Sequence, residues 1–223
     1  MQHEIVLQQQ KASELEMQAL RAQMNPHFIF NSLNAINMII LENNKLQASE
    51  YLAKFSKLVR LILQNSQEAF IPLEKELEAL QLYLELESLR FEQKFRYTLS
   101  VDEEVNTAKL KVPPLIIQPY AENAIWHGLM HKTEKGHLEI ELFIKEKSLY
   151  CKITDDGIGR KKTSESKNKS ASLHKSMGMH ITASRIEMLQ NNQNEVSISI
   201  NDLVLPDGTP GGTEVLLRIP VLA

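Results

Sequence analysis

The chain has 223 residues, 43% of them hydrophobic and 24% charged, with a formal net charge of -3, an ordinary balance for a soluble globular protein of one or two domains. Its slight acidity and the scatter of Lys and Arg along its length argue against direct nucleic-acid binding. The single cysteine, Cys151, excludes an intrachain disulfide and fits a reducing compartment. No run approaches the roughly 18 apolar residues that a membrane span requires, so the chain reads as cytoplasmic, joined to a membrane only through a segment absent from it.

Glu4 to Leu41 reads as one long helix that Pro26 is expected to bend. Apolar or small residues recur at Ala12, Leu15, Ala19, Ala22, Pro26, Ile29, Leu33, Ile36 and Ile40, in the steps of three and four of a coiled-coil seam or bundle core. That stripe predicts a homodimer through the N-terminal helices. His27 falls one residue off the seam, and with Asn31 and Asn34 it lines a polar strip beside the apolar face. An imidazole on such a strip is open to another domain.

Asn43-Asn44 breaks the helix, and a second runs from about Leu46 to Asn65 with Leu52, Phe55, Leu58, Val59 and Ile62 on one side. Ile71-Pro72-Leu73-Glu74 then has the signature of a helix start, with Glu74, Glu76 and Glu78 near the positive end of the dipole. This third helix is predicted to run to about Gln93. From Phe95 the pattern turns to strands, at Arg96 to Val101, His137 to Lys145, Leu149 to Thr154, Val196 to Ile200 and Glu214 to Ile219. Helices near Ile116 to Met130 and Met177 to Gln190 interrupt them. Between Gly159 and Met177 lies a long polar run that reads as a mobile loop or lid. The expected fold class is α+β: a helical module over residues 1–95, then a domain of strands and helices over 96–223.

Asp155-Asp156-Gly157-Ile158-Gly159 follows directly on a strand, which puts a carboxylate at the strand end and two glycines in the turn. Such a carboxylate can accept a hydrogen bond from the exocyclic amine of a purine, and the glycines permit close backbone approach. Alone, the segment reads better as an ordinary Asp- and Gly-rich turn from strand to loop. Glu122 and Asn123 stand side by side in the mostly apolar Pro119 to Gly128 stretch. Asn123 can offer a carbonyl oxygen to Mg²⁺ or simply hold a buried loop. Gly178 opens a helix, and Gly212-Thr213 precedes the last strand. His127 and His131 have the spacing of a zinc pair, but Gly128 lies between them and no third ligand is evident.

Taken in order, Asn123-Ala124, Asp155-x-Gly157-x-Gly159, a polar lid, Gly178 before a helix and Gly212-Thr213 before a strand resemble the N, G1, G2 and G3 boxes of the GHKL ATPase fold. The upstream Ala22-Gln-Met-Asn-Pro-His-Phe-Ile-Phe-Asn-Ser-Leu-Asn34 narrows the resemblance to the LytS/YehU-type sensor histidine kinases. Leu73-x-x-Glu76-Leu77, Tyr83-Leu84 and Arg90-Phe91 point the same way.

The resemblance implies an ATP-dependent protein-histidine kinase of a two-component system. His27 would be phosphorylated from ATP and would pass the phosphate to an aspartate on a response regulator, by family analogy a DNA-binding one. Asn123 would ligate Mg²⁺, Asp155 would bind adenine, Thr213 would line the adenine side, and His127 would face the phosphates. Gly157, Gly159 and Gly178 would shape the pocket and the lid hinges. Asn31 would hold a water against phosphohistidine or cap the bundle. The chemistry agrees with the residue types, since a neutral imidazole is nucleophilic near pH 7 and in-line attack on the γ-phosphorus needs mainly positioning and charge neutralisation.

Three positions depart from the family pattern. Trp126 stands where relatives commonly carry a lysine able to pair with phosphate; Ser176-Met-Gly178 replaces a Gly-x-Gly; and, relative to the commoner histidine kinases, Phe28 occupies the place of an acidic neighbour of the histidine. A general base, if needed, then falls to Glu122. The departures keep open an alternative, a catalytically weak GHKL module acting through partner contacts. A GHKL ATPase or chaperone without phosphotransfer would leave the His27 motif unexplained.

Overall fold

A computed structural model describes residues 26–160 and 197–220. The expected helix upstream of Pro26, the polar run after Arg160, Ser176, Gly178 and the helix expected from Met177 to Gln190 lie outside the described residues.

Helices α1 (Pro26–Leu41) and α2 (Lys45–Asn65) are separated where the asparagine pair predicts. Asn43 takes φ 64, a left-handed conformation that asparagine tolerates better than most residues. Asn44 caps α2 by accepting the Gln47 N–H at 3.2 Å. Strand β1 (Ile71–Pro72) leads into α3 (Leu73–Arg90). Pro72, just before the first turn, supplies the fixed φ that starts the helix.

The stripe read along α1 does not all face one way. Phe28, Ser32 and Ile36 turn into the bundle, the Phe28 ring lying 5.3 Å from Tyr83 and 6.1 Å from Phe55. Ile36 is 8% exposed, whereas Leu33 and Ile40 are 49% and 54% exposed. The helix is apolar around more than half its circumference, and packing on α2 and α3 selects the Phe28–Ser32–Ile36 line. Phe30, Leu33, Ile40 and Leu41 are left as an outward apolar stripe.

Helix α3 is buried on both sides. Leu80, Tyr83, Leu84 and Glu87 are covered, as are Leu73, Glu76, Ala79 and Leu86, so the helix serves as a wall between α1–α2 and the sheet domain. That domain holds a five-stranded sheet of order β2 (Phe95–Val101), β4 (Gly136–Lys145), β5 (Ser148–Asp155), β7 (Pro210–Pro220), β6 (Ser197–Val204). The β2–β4 pair is parallel and the others antiparallel. A small second ladder joins β1 to β3 (Lys111–Val112). The inward face of β5 is Leu149, Cys151, Ile153 and then Asp155, because a period of two carries the apolar line to the strand's last residue. This order, helices and then a mixed sheet with helices on one face, is the expected α+β class and is consistent with a GHKL-type domain.

Two expectations are corrected here. Gly212 and Thr213 lie within β7 rather than before it, since the β6–β7 ladder extends to Val204 and Pro210 through an irregularity at Leu203/Val204. The helix expected from Ile116 to Met130 is instead α4 (Gln118–Asn123), a π turn over Ala124–Gly128 and a 3-10 turn over Leu129–His131. The Leu129 N–H reaches the Ala124 carbonyl, the five-residue span of a π bulge, a feature often found at functional sites. Among the described residues no helix is long and apolar enough to cross a membrane.

Candidate active site

The site is built around a carboxylate in an apolar place. Asp155 is 4% exposed at the end of β5. Its Oδ1 accepts the Gly157 N–H at 2.9 Å, and the backbone N–H of Thr213, its partner across the β5–β7 ladder, also donates to it. Burial pushes its carboxyl up to about 6, opposed by the Gly157 and Thr213 N–H groups, while neighbouring Asp156 adds to the rise. A carboxylate held this way keeps lone pairs for one more donor.

Glycines from three elements close around it. A Cβ at Gly128 would sit 2.6 Å from Asp155 Oδ1. One at Gly157 would meet the Gly128 backbone, and one at Gly212, where φ is 114, would meet the Asp155 carbonyl oxygen. Ile158 N–H donates to the Gly128 carbonyl at 3.3 Å and ties the loop after Asp155 to the π turn. Gly159, buried with φ 75, turns the chain beside Pro210.

The structure thus brings Asp155, Gly157, Gly159 and Thr213 together against Gly128, with Asn123 and His127 half-buried on the turn that ends there. Among the described residues no group of three or more His, Cys, Asp or Glu forms a metal cage. A Mg²⁺ carried on phosphates asks for less, commonly one or two protein oxygens beside waters and phosphate oxygens, and the Asn123 amide fits that role. Glu122 lies toward α3, where its charge is felt at Glu87 and Tyr83. His27 is the second residue of α1, and its side chain lies outside the described set, as does Gly178. Asn31 is half-buried on the same helix.

Sequence reasoning missed two sets of contacts. Asp156 clamps the rim of the loop, Oδ1 accepting the His137 N–H at 2.8 Å and Oδ2 pairing with Lys132 at 2.7 Å. Trp126, half-buried against the core, sets its ring edge-on to Phe91 at 5.4 Å and under the Arg90 guanidinium at 4.6 Å. Arg90 in turn bonds Glu87 at 2.8 Å. Burial pushes the Glu87 carboxyl up to about 7 against the pull of Arg90. The sequence signals were the Arg90-Phe91 pair in the recognised motif and the unusual Trp126, and neither reveals the other as its partner.

The histidine kinase family model matches residues 15–95. Over 156 residues, 70% of this chain and 26% of the relative, the sequence is 34% identical to the sensor protein LytS of Bacillus cereus. It is 35% identical, with the same coverage, to that of Enterococcus faecalis. The chain therefore spans about a quarter of the length of the curated relatives it matches. A solved histidine kinase domain, from the blue-light activated kinase of Erythrobacter litoralis EL346, aligns with 95% of this chain and 94% of its own at TM-score 0.46 and 16% identity. By its family-model match and its kinship to these sensor proteins, the chain belongs to the LytS-type histidine kinases.

Proposed function

We propose that the chain is the catalytic part of a two-component sensor kinase that phosphorylates His27 from Mg-ATP and hands the phosphate to a response-regulator aspartate. In this reading residues 1–95 carry the acceptor and the dimer contact, and 96–223 carry the nucleotide. The observation that supports it best is the buried Asp155 carboxylate, ringed by Gly128, Gly157 and Gly212 and held by two backbone N–H groups. Ionising a carboxylate there costs folding free energy, and an adenine amine would supply the missing donor.

The His27 imidazole attacks the γ-phosphorus in line, the bond to the β-phosphate oxygen breaks, and ADP leaves with that electron pair. The ring proton passes to a base, for which Glu122 is the candidate. Thr213 lines the adenine side, Gly157 and Gly159 let the backbone approach the nucleotide, and His127 faces the phosphates. Gly178 would hinge the lid. Asn123 would hold Mg²⁺, which neutralises phosphate charge when bound. Asn31 would orient a water against phosphohistidine for its hydrolysis to free histidine and inorganic phosphate, a phosphatase activity. The outward stripe of Phe30, Leu33, Ile40 and Leu41 supports a homodimer through the N-terminal helices, and a monomer by light scattering at micromolar concentration would contradict that contact. A cytoplasmic location beneath a membrane segment outside this chain, and a DNA-binding regulator, rest on the family alone.

Incubation with γ-labelled ATP and Mg²⁺ should place acid-labile, alkali-stable label on the protein, and a His27→Gln variant that still labels would sink the assignment. One observation favours a second reading, a weak nucleotide binder acting through partners. Trp126 stacks under Arg90, so the position of the family's lysine is spent on packing. Calorimetry showing no nucleotide binding would select it.

A further inference from the structure

The turn that carries Asn123 and His127 is held at both ends by one helix. At its entry, the Glu76 carboxylate of α3 accepts the Leu115 N–H at 2.8 Å and the Ile117 N–H at 3.1 Å. Glu76 is 1% exposed, and Leu115 takes φ 58, a conformation a branched side chain adopts only when its surroundings impose it. These are N–H groups that the start of α4 cannot satisfy itself, and a buried carboxylate from another element satisfies them. At the exit, the Arg90 guanidinium lies 4.1 Å from the Phe91 ring and 4.6 Å from the Trp126 ring, braced by Glu87 at 2.8 Å. The Trp126 indole N–H faces the Glu87 carboxylate and the Tyr83 hydroxyl. Behind Glu87, the Tyr51 phenol of α2 and the Ser32 hydroxyl of α1 meet in the same buried pocket, short of strict hydrogen-bond geometry. A charged pair almost wholly removed from water, with Glu87 at 0% and Arg90 at 9% side-chain exposure, is costly unless geometry repays it, and what this pair fixes is the ring at the centre of the π turn.

We propose that α3 is a two-point clamp, with Glu76 at the entry and Arg90, Glu87 and Trp126 at the exit acting as positioning residues that set Asn123 and His127 for the nucleotide. The proposal deepens the kinase reading by explaining why a tryptophan stands at position 126. The ring is the exit anchor, so a lysine there would face Arg90 as a like charge and loosen the turn. Phenylalanine keeps a stackable face and loses the indole N–H. Lysine at Arg90 keeps the charge for Glu87 and loses the planar stack.

Hydrogen exchange on the full chain, without nucleotide, reads the clamp directly. Arg90→Lys and Trp126→Lys should speed exchange about tenfold or more across residues 118–131, while β4, β5 and α2 keep wild-type rates; Trp126→Phe should lie close to wild type. Glu76→Gln, which preserves shape and one acceptor, should speed exchange from Leu115 into α4 and supplies the test at the other end if the exit variants fold poorly. Unchanged exchange over 115–131 in Glu76→Gln and Trp126→Lys would overturn the clamp, as would a loss of protection spread evenly over the molecule. Mg-ADP titration then separates the two ideas. Under the clamp, Trp126→Lys weakens Mg-ADP binding although it adds a cation; tighter binding would overturn it. If wild type shows no protection by Mg-ADP at residues 118–131 and 155–159, the nucleotide reading falls, and the clamp is still decided by the nucleotide-free exchange.

Discussion

Replacing Asp155 with asparagine should make the protein more stable at neutral pH and abolish adenine-nucleotide binding. Burial raises the Asp155 carboxyl from its ordinary 3.8 to about 6. A carboxyl raised in the folded state gives stability that is fully present below its unfolded value and is lost as pH rises through the folded one. At about 1.4 kcal/mol per pH unit, the interval is worth ~3 kcal/mol. The asparagine variant has no such proton to lose, but its amide leaves one of the two donors, Gly157 or Thr213 N–H, poorly matched, at about 1–2 kcal/mol at every pH. Wild type should therefore be the more stable near pH 4 and the variant by about 1–2 kcal/mol at pH 7.5, with the curves crossing at about pH 5. Urea denaturation of both proteins from pH 4 to 8 measures this, because the other titrating groups cancel in the difference. Parallel curves, or a variant that is still the less stable at pH 7.5, would refute the account of Asp155 as a charge held in an apolar site at the expense of folding.

Other substitutions test the packing around the site. Gly212→Ala combines φ 114 with a collision against the Asp155 carbonyl oxygen and should cost more than ~3 kcal/mol or prevent folding, whereas Gly159→Ala, at φ 75 with its Cβ 3.0 Å from Pro210 Cβ, should cost about 1–2 kcal/mol; equal losses in urea would contradict the geometry. Phe28→Ala removes a ring packed on Tyr83 and Phe55 and should lower stability by about 3–4 kcal/mol, and a loss below about 1 kcal/mol would show that the α1 face is not seated. Lys132→Ala breaks only a partly exposed ion pair and should cost less than about 1 kcal/mol, while Asp156→Ala also strips the acceptor from the His137 N–H and should cost more; the reverse order in thermal denaturation would show that the ion pair dominates the rim.

Local chemistry made much of the fold legible. The Asn43-Asn44 break, the proline-led start of α3 and the alternation of β4 and β5 all stand where the sequence puts them, because each rests on one or two residues acting on their own backbone. The Asp155 turn was legible for the same reason. What was hidden depends on distant partners. Periodicity cannot distinguish a π turn from an α-helix over Ala124–Gly128, since one added residue in the hydrogen-bonded ring barely alters the apolar spacing. The hairpin that draws Gly212 and Thr213 into β7 is set by β6 across the ladder. Nothing in the sequence pairs Glu87 with Arg90, and only α3's position between two layers leaves their side chains 0% and 9% exposed.

The passage from α3 into β2 leaves little slack. Residues 91–94 are a tight connection in which Gln93 N–H returns to the Ser88 carbonyl at 2.9 Å and Lys94 N–H to the Phe91 carbonyl at 2.8 Å. With only that short turn at the junction and α3 packed on both sides, a swing of bundle and sheet apart about it would break the α3 packing. The motion that preserves the packing is sliding across one face of α3, a shear of small amplitude. A twist delivered through α1 would arrive at the sheet as a change in side-chain registry along that wall.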